Sequence, residues 1–164
     1  AERDGLVVLS GPEPQRSLLE QRLLDQMQQI DKQWWLIRGL PGDNQEGSHH
    51  PHIKITGFLT GALLNQAITS SRFVVCRSGY SSLMDLSVLQ KKAILIPTPG
   101  QTEQEYLADQ LAAQKRAVVQ QQSAIHLAEA IRALDDTTGL TAPDEPENQL
   151  RLAVQDLLDY LRLN

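Results

Sequence analysis

Residues 72–104, RFVVCRSGYSSLMDLSVLQKKAILIPTPGQTEQ, decide the fold. The apolar run Phe73-Val74-Val75-Cys76 has the length of a buried strand and is broken by Arg77-Ser78-Gly79. A helix-like segment from Tyr80 to Gln90 follows. A second apolar run, Ala93-Ile94-Leu95-Ile96, stops at Pro97-Thr98-Pro99-Gly100, and another helix starts near Thr102. Two consecutive strands therefore each end in a small-residue loop that opens a helix. In a parallel sheet both loops fall at the carboxyl ends of the strands, where open α/β sheets bind ligands. Helix N-termini there present unpaired N–H groups, which suit a phosphate or diphosphate.

Working outward, Leu6-Val7-Val8-Leu9, Trp34-Trp35-Leu36-Ile37 and Ala117-Val118-Val119 read as further short strands, and residues 52–56 as a weaker one. Helical spacing predicts helices over residues 15–30, 59–70, 103–114, 123–134 and 147–163. Residues 39–51 read as loop, and residues 135–146 as a polar loop and the best candidate hinge. The Gln120-Gln121-Gln122 patch is too short to carry meaning. Six strands alternating with helices imply an α/β domain spanning residues 1–164. Its sheet is expected to be doubly wound, mostly parallel, six-stranded and Rossmann-like.

Composition narrows the function classes. The chain of 164 residues is 41% hydrophobic and 21% charged, ordinary for a globular domain with a core. A net charge of −5 argues against nucleic acid as a partner but leaves room for one small anionic ligand. One cysteine, Cys76, excludes an internal disulfide, and its place in an apolar strand makes it an inert thiol. No apolar run is long enough for a membrane span, and no signal peptide is evident. A start at Ala1 without methionine suggests sequence missing upstream.

Each motif has a ligand reading and a plain structural one. Gly79 permits φ > 0 and close approach of a ligand, while the serines around it suit either phosphate oxygens or a helix cap. Ser82-x-x-Asp85 and Thr102-x-x-Glu105 both have capping-box spacing. Asp85 also suits a ribose diol, and Gln104 suits sugar hydroxyls or solvent. After the first strand, Ser10-Gly11-Pro12-Glu13-Pro14 is no dinucleotide fingerprint, because its prolines remove N–H donors. Gly11 and Arg16 remain able to line the cleft. His49, His50 and His52 lack the further ligands of a closed zinc site, so no metal is expected.

The order Phe73-Val74-Val75-Cys76-Arg77-Ser78-Gly79, Asp85, Ile96-Pro97, then Gln101-Thr102-Glu103-Gln104-Glu105-Tyr106-Leu107-Ala108 resembles the C-terminal domain of glycosyltransferase family 28, to which MurG-like N-acetylglucosaminyl transferases belong. Ile55-Thr56-Gly57-Phe58-Leu59 resembles the segment preceding the uracil pocket of that family. The resemblance covers most of the chain in element order and is specific from about residue 55 to 108.

The resemblance implies the donor-binding half of a two-domain GT-B enzyme that takes a UDP-sugar without a cofactor. By matching position, Arg77 belongs to the motif, and Ser78, Gly79, Tyr80 and Ser81 lie at the diphosphate. Asp85 takes the place of a ribose-binding glutamate, Gln104 contacts the donor sugar, Gln101 in the same motif is a further substrate-binding candidate, and the backbone near Phe58 and Leu59 meets the base. Three positions differ from the family pattern: Asp85 is one methylene shorter, Leu107 replaces an asparagine, and the first loop lacks a Gly-Gly-Ser-type turn.

The acceptor site would come from a missing N-terminal domain or a partner subunit, so the isolated chain is expected to be inactive. The full enzyme would be cytoplasmic, associated peripherally with the inner membrane surface. Two alternatives remain: a non-catalytic nucleotide-binding or docking module, and half of a UDP-sugar epimerase. The last helix, with Leu150, Leu152, Ala153, Val154, Leu157, Leu158 and Leu161, either covers its own sheet or exposes an interdomain patch.

Overall fold

The computed structural model describes residues 3–140 and 146–163. In chain order these form β1 (Arg3–Val8), α1 (Gln15–Met27), β2 (Trp34–Ile37), β3 (Glu46–His50), β4 (Ile53–Thr56), α2 (Gly61–Thr69), β5 (Ser71–Cys76), α3 (Tyr80–Val88), β6 (Lys92–Leu95), α4 (Thr102–Ala113), β7 (Val118–Val119), α5 (Leu127–Ala133) and α6 (Pro146–Leu163). Short 3₁₀ turns occupy Gln122–Ala124 and Leu134–Asp136. The strands lie in the order β3-β4-β2-β1-β5-β6-β7, parallel throughout except for β3.

Seven strands stand where six are expected. The extra one, β3, lies in the stretch read as loop and pairs antiparallel with β4 at the sheet edge. Its sequence, Glu46-Gly47-Ser48-His49-His50, has no apolar alternation to betray it. Backbone pairing alone makes it a strand, and its polar side chains suit an edge.

The central strands are buried on both faces, so their sequences run apolar without interruption. Val7, Phe73, Val75, Ile94 and Ile96 pack with α1 and α5 on one face. Leu6, Val74, Cys76, Ala93 and Leu95 pack with α2, α3 and α4 on the other. Helix α6 lies against α3 and α4. There Leu157 is buried, Tyr160 stacks on Tyr106, and Leu158 and Leu161 stay exposed. The last helix thus covers its own domain and also keeps an apolar outer face. The side chains of residues 150–154, and residues 141–145 of the expected hinge, lie outside the described residues.

The expected helix over residues 123–134 is shorter, beginning at Leu127. Side chains from elsewhere take up the backbone groups just before it. Gln26 accepts from Leu127 N at 2.7 Å and donates to the Ile125 carbonyl at 2.7 Å. Gln120 holds both the N–H and the C=O of His126, at 2.9 and 3.1 Å. Gln122 is buried and donates to Gln15 Oε1 at 2.7 Å. The glutamine patch therefore pins the segment after β7 in place.

Chain direction reverses at one place. From β1 the chain moves outward through α1 to β2, then crosses back from β4 through α2 to β5 on the far side of β1. The carboxyl ends of β1 and β5 are neighbours there, which is the switch point where open α/β sheets hold ligands.

Candidate functional site

Four loops meet at the carboxyl edge around the switch point: residues 9–14 after β1, 57–60 after β4, 77–79 after β5 and 96–101 after β6. Four helices begin there, and their N-termini differ. At α1 the Glu13 carboxylate accepts from Ser17 N at 3.3 Å, and Pro14 contributes no donor. At α4, Glu103 and Glu105 lie in the first turn, and Glu105 accepts from Gly100 N at 3.1 Å. At α3 there is no acidic residue in the first turn and no side-chain cap. The first bond inside α3 runs from Leu83 N to Gly79 O, so the N–H groups of Tyr80, Ser81 and Ser82 have no partner within the helix. Helix α2, with Thr60 as its N-cap, likewise has no acidic residue in its first turn and no side-chain cap, but of these two open N-termini α3 is the one beside the switch point, and it offers the anion site there.

This geometry corrects both capping-box readings. Helix α3 begins at Tyr80 with Gly79 as its N-cap, so Ser82 lies inside the first turn and caps nothing. Helix α4 begins at Thr102 with Gln101 as its N-cap, again without a side-chain cap bond. Asp85 is exposed one turn into α3. It borders a narrow crevice between α2 and α3 lined by Val8, Leu64, Ile68, Cys76, Ser82 and Leu86. The crevice holds about 30 Å³, room for a water rather than a nucleoside, so a larger ligand would lie across its mouth. Burial pushes the Cys76 thiol up to about 12, leaving it protonated and unreactive at neutral pH.

Gly79 has φ −70° and ψ 149°, extended backbone open to any residue. A Cβ placed there meets no atom within 4 Å. Neither φ nor packing requires glycine here, although glycine suits the N-cap position better than alanine, and the space beside its Cα is open. Gly11 differs: its φ of +99° favours glycine, and a Cβ there would stand 3.6 Å from Thr98 Oγ1. That hydroxyl is buried and lacks a hydrogen-bond partner among the described residues. Thr98 carried no signal in sequence, since nothing about a Pro-Thr-Pro turn foretells a stranded hydroxyl.

The loops after β5 and β6 are tied together. Ser78, fully buried, donates from Oγ to the Gln104 carbonyl at 2.7 Å, which leaves only its backbone for a ligand. Gln104 accepts from Thr98 N through Oε1 at 2.8 Å. Its amide oxygen is thus committed to the loop, and the NH₂ group is the part left for a ligand. Replacing Gln104 by alanine strands the Thr98 N–H. The expected cost is about 1–2 kcal/mol, a drop of roughly 3–6 °C in Tm. Loss of hydrogen-exchange protection at Thr98 would accompany it; an unchanged Tm with a protected amide would show that the bond contributes nothing.

Arg77 is 1% exposed, and its guanidinium turns inward. Nη1 donates to the carbonyls of Ile96 and Pro97, both at 3.2 Å, and Nη2 to that of Gln15 at 3.3 Å. Burial lowers its pKa to about 10, so it remains charged at neutral pH. Arg16 is also buried, but Glu13 and Glu20 pair with it at 2.6 Å. Burial opposes its charge, yet the bonds to Glu20 and Glu13 outweigh burial and raise its pKa. Arg16 is therefore neutralised rather than offered to the cleft. Glu20 also pairs with Arg38, which reaches Asp43 at 3.4 Å.

That chain of ion pairs steadies residues 39–45 over Gly57. Leu40 N donates to Gly57 O at 3.1 Å, and Gly57 N donates to Gln45 O at 3.0 Å. Phe58 is 40% exposed and Leu59 half-buried. No described backbone bond of the turns and loops uses either residue. A wider cleft than the crevice beside Asp85, about 250 Å³, lies elsewhere, between α1 and the β3–β4 edge. Glu20, Glu46 and Arg38 line it, with Glu20 paired to Arg38.

His50 and His52 have ring centroids 5.4 Å apart, and His52 Nδ1 contacts Gln33 Nε2 at 2.9 Å. No group of three potential metal ligands comes together among the described residues. Among the same residues no helix is long and apolar enough to cross a membrane.

The sequence profile described as the glycosyltransferase family 28 C-terminal domain matches residues 11–157. The chain belongs to this family. MurG from Acinetobacter baumannii superimposes with a TM-score of 0.66 at 15% identity, over 94% of this chain and 50% of that one. The solution structure of ALG13 gives a TM-score of 0.65 at 15% identity, over 93% of this chain and 96% of that one. The glycosyltransferase SnogD from Streptomyces nogalater gives 0.56 at 16% identity, over 94% and 38%. The family 28 chain thus spans half of the MurG chain and less of SnogD, and shares the GT-B fold with them. No curated protein sequence matches it. Leu107, where the family has asparagine, is fully buried among the residues under α4, so here that position serves the core.

Proposed function

We propose that this chain is the donor-binding half of a glycosyltransferase that moves a sugar, an N-acetylhexosamine, from a UDP-sugar to an acceptor. The open N-terminus of α3 at the switch point carries this reading. The diphosphate would lie against the amides of Gly79, Tyr80 and Ser81, in the space a Cβ at Gly79 would enter. Asp85 would accept from the ribose hydroxyls, and the backbone of Phe58 and Leu59 would meet the base. Gln101 and the amide nitrogen of Gln104 would face the donor sugar. Oriented amides would stabilise the departing diphosphate without requiring a metal. The acceptor site and general base would come from a further domain or subunit, so the isolated chain would bind donor without turnover.

Thermal stabilisation by UDP, UDP-N-acetylglucosamine, UDP-glucose, GDP, ADP and NAD, with and without magnesium, tests this. A ligand at 100 times its Kd should add roughly 2.7 kcal/mol. The expected result is a UDP-selective shift indifferent to magnesium. Gly79→Ala should cost the free protein about 0.5–1 kcal/mol through the weaker N-cap and no more, because the methyl enters open space. It should weaken UDP about tenfold, or about 1.4 kcal/mol. A shift shared equally by all nucleotides, or a Gly79→Ala protein that binds UDP normally, would overturn the assignment.

A further inference from the structure

We propose that Arg77 is a fixed counter-charge for the anion bound at the α3 N-terminus, acting through space. The inference deepens the donor-site reading and rests on it for the position of the anion.

Three observations carry it. The guanidinium is 1% exposed, so it presents no face to a ligand in solution. Its hydrogen bonds all go to backbone carbonyls: Ile96, Pro97 and Gln15. Among the described residues its Nε has no partner and no carboxylate pairs with it. Arg16 and Arg38, at the same end of the sheet, are both paired with acids.

A buried cation without a counter-ion is costly, and neutral donors can bond carbonyls without that cost. The charge therefore calls for a use that a neutral strut would not supply. Arg77 stands two residues before the Gly79 cap of α3, whose N-terminus, beside the switch point, has neither an acid in its first turn nor a side-chain cap. Its field adds to that of the open N–H groups, through protein rather than solvent, where screening is weak. A diphosphate there would offset both. Arg77 would then be a positioning and electrostatic residue, not a contact.

The test compares Arg77→Lys, which keeps the charge, with Arg77→Gln, which keeps donors but is neutral. Chemical-shift titrations of the whole chain at low ionic strength would use three probes: inorganic pyrophosphate, UDP and uridine. Unliganded spectra and melting curves would first establish that each variant is folded. Arg77→Gln should weaken pyrophosphate and UDP by about tenfold or more while leaving uridine within about twofold. Arg77→Lys should recover most of the anion affinity. Equal losses for uridine and UDP would reduce Arg77 to a structural clamp and overturn the proposal. So would a lysine variant as weak as the glutamine one, a glutamine variant that binds as tightly as wild type, or a wild-type chain that binds no pyrophosphate. Should the glutamine variant not fold, a folded lysine variant with anion affinity lost and uridine affinity kept would overturn it equally. Its anion affinity kept near wild type would support it. Wild-type binding of pyrophosphate with no preference for UDP over ADP would sink the uridine-nucleotide reading alone and leave Arg77 to be judged on pyrophosphate.

Discussion

Replacing Trp34 by alanine is expected to lower the unfolding free energy by about 3–5 kcal/mol, a large part of a small domain's stability. Trp34 is fully buried at the start of β2 and meets Phe73 edge-to-face, with ring centroids 5.7 Å apart. Its indole also fills the space left by Gly5: a Cβ there would come within 2.4 Å of it. Alanine would empty a cavity in the middle of the sheet that neighbouring β-strands cannot collapse to fill. Urea denaturation measures the loss. Phenylalanine in the same place should cost much less, because Trp34 Nε1 is buried without a hydrogen-bond partner among the described residues. Removing the nitrogen discards an unpaired donor together with some volume. Equal losses for alanine and phenylalanine would show that the indole nitrogen contributes and that this account of the packing is incomplete.

Gly39→Ala should be nearly as damaging, at about 2–4 kcal/mol, for a different reason. Gly39 has φ +69°, a left-handed conformation that L side chains resist. A Cβ there would also stand 2.0 Å from the Leu9 carbonyl oxygen, and backbone cannot swing aside like a flexible side chain. The strain falls where β1 and β2 end, at the bond from Leu9 N to Ile37 O. It would spread to residues 40–45, which hold Gly57 and so set the entry to Phe58 and Leu59. Urea denaturation should register the destabilisation, and amide exchange at Leu40 and Gly57 should quicken. A variant of wild-type stability would mean that the residue 39–45 segment shifts without cost and does not brace the base-facing loop.

Much of this architecture was legible before any coordinates. The runs around Trp34, Phe73 and Ala93 are strands because continuous apolar sequence can be buried on both faces only in a covered parallel sheet. The loops after β5 and β6 open helices where the Gly and Pro punctuation predicts. The misses share a cause. Strand β3 forms through backbone pairing, to which side-chain periodicity is blind. Helix α5 starts late because Gln26 and Gln120, distant or non-helical in sequence, take its neighbouring backbone groups. Ser82 and Thr102 have capping spacing, but the helices begin at residues that spacing does not select.

The candidate site divides the same way. Sequence by itself determined the α/β class, the family, and which loops gather at the carboxyl edge, because strand length, apolar runs and turn residues act locally. Only the tertiary structure decided what each side chain in those loops does. It turned Ser78 and Arg77 inward, committed one end of Gln104 to Thr98, neutralised Arg16 and left α3 uncapped. The physical reason is that hydrogen-bond and charge partners are chosen by proximity in the folded chain: Arg77 finds carbonyls on two other loops, and no spacing within its own motif encodes them.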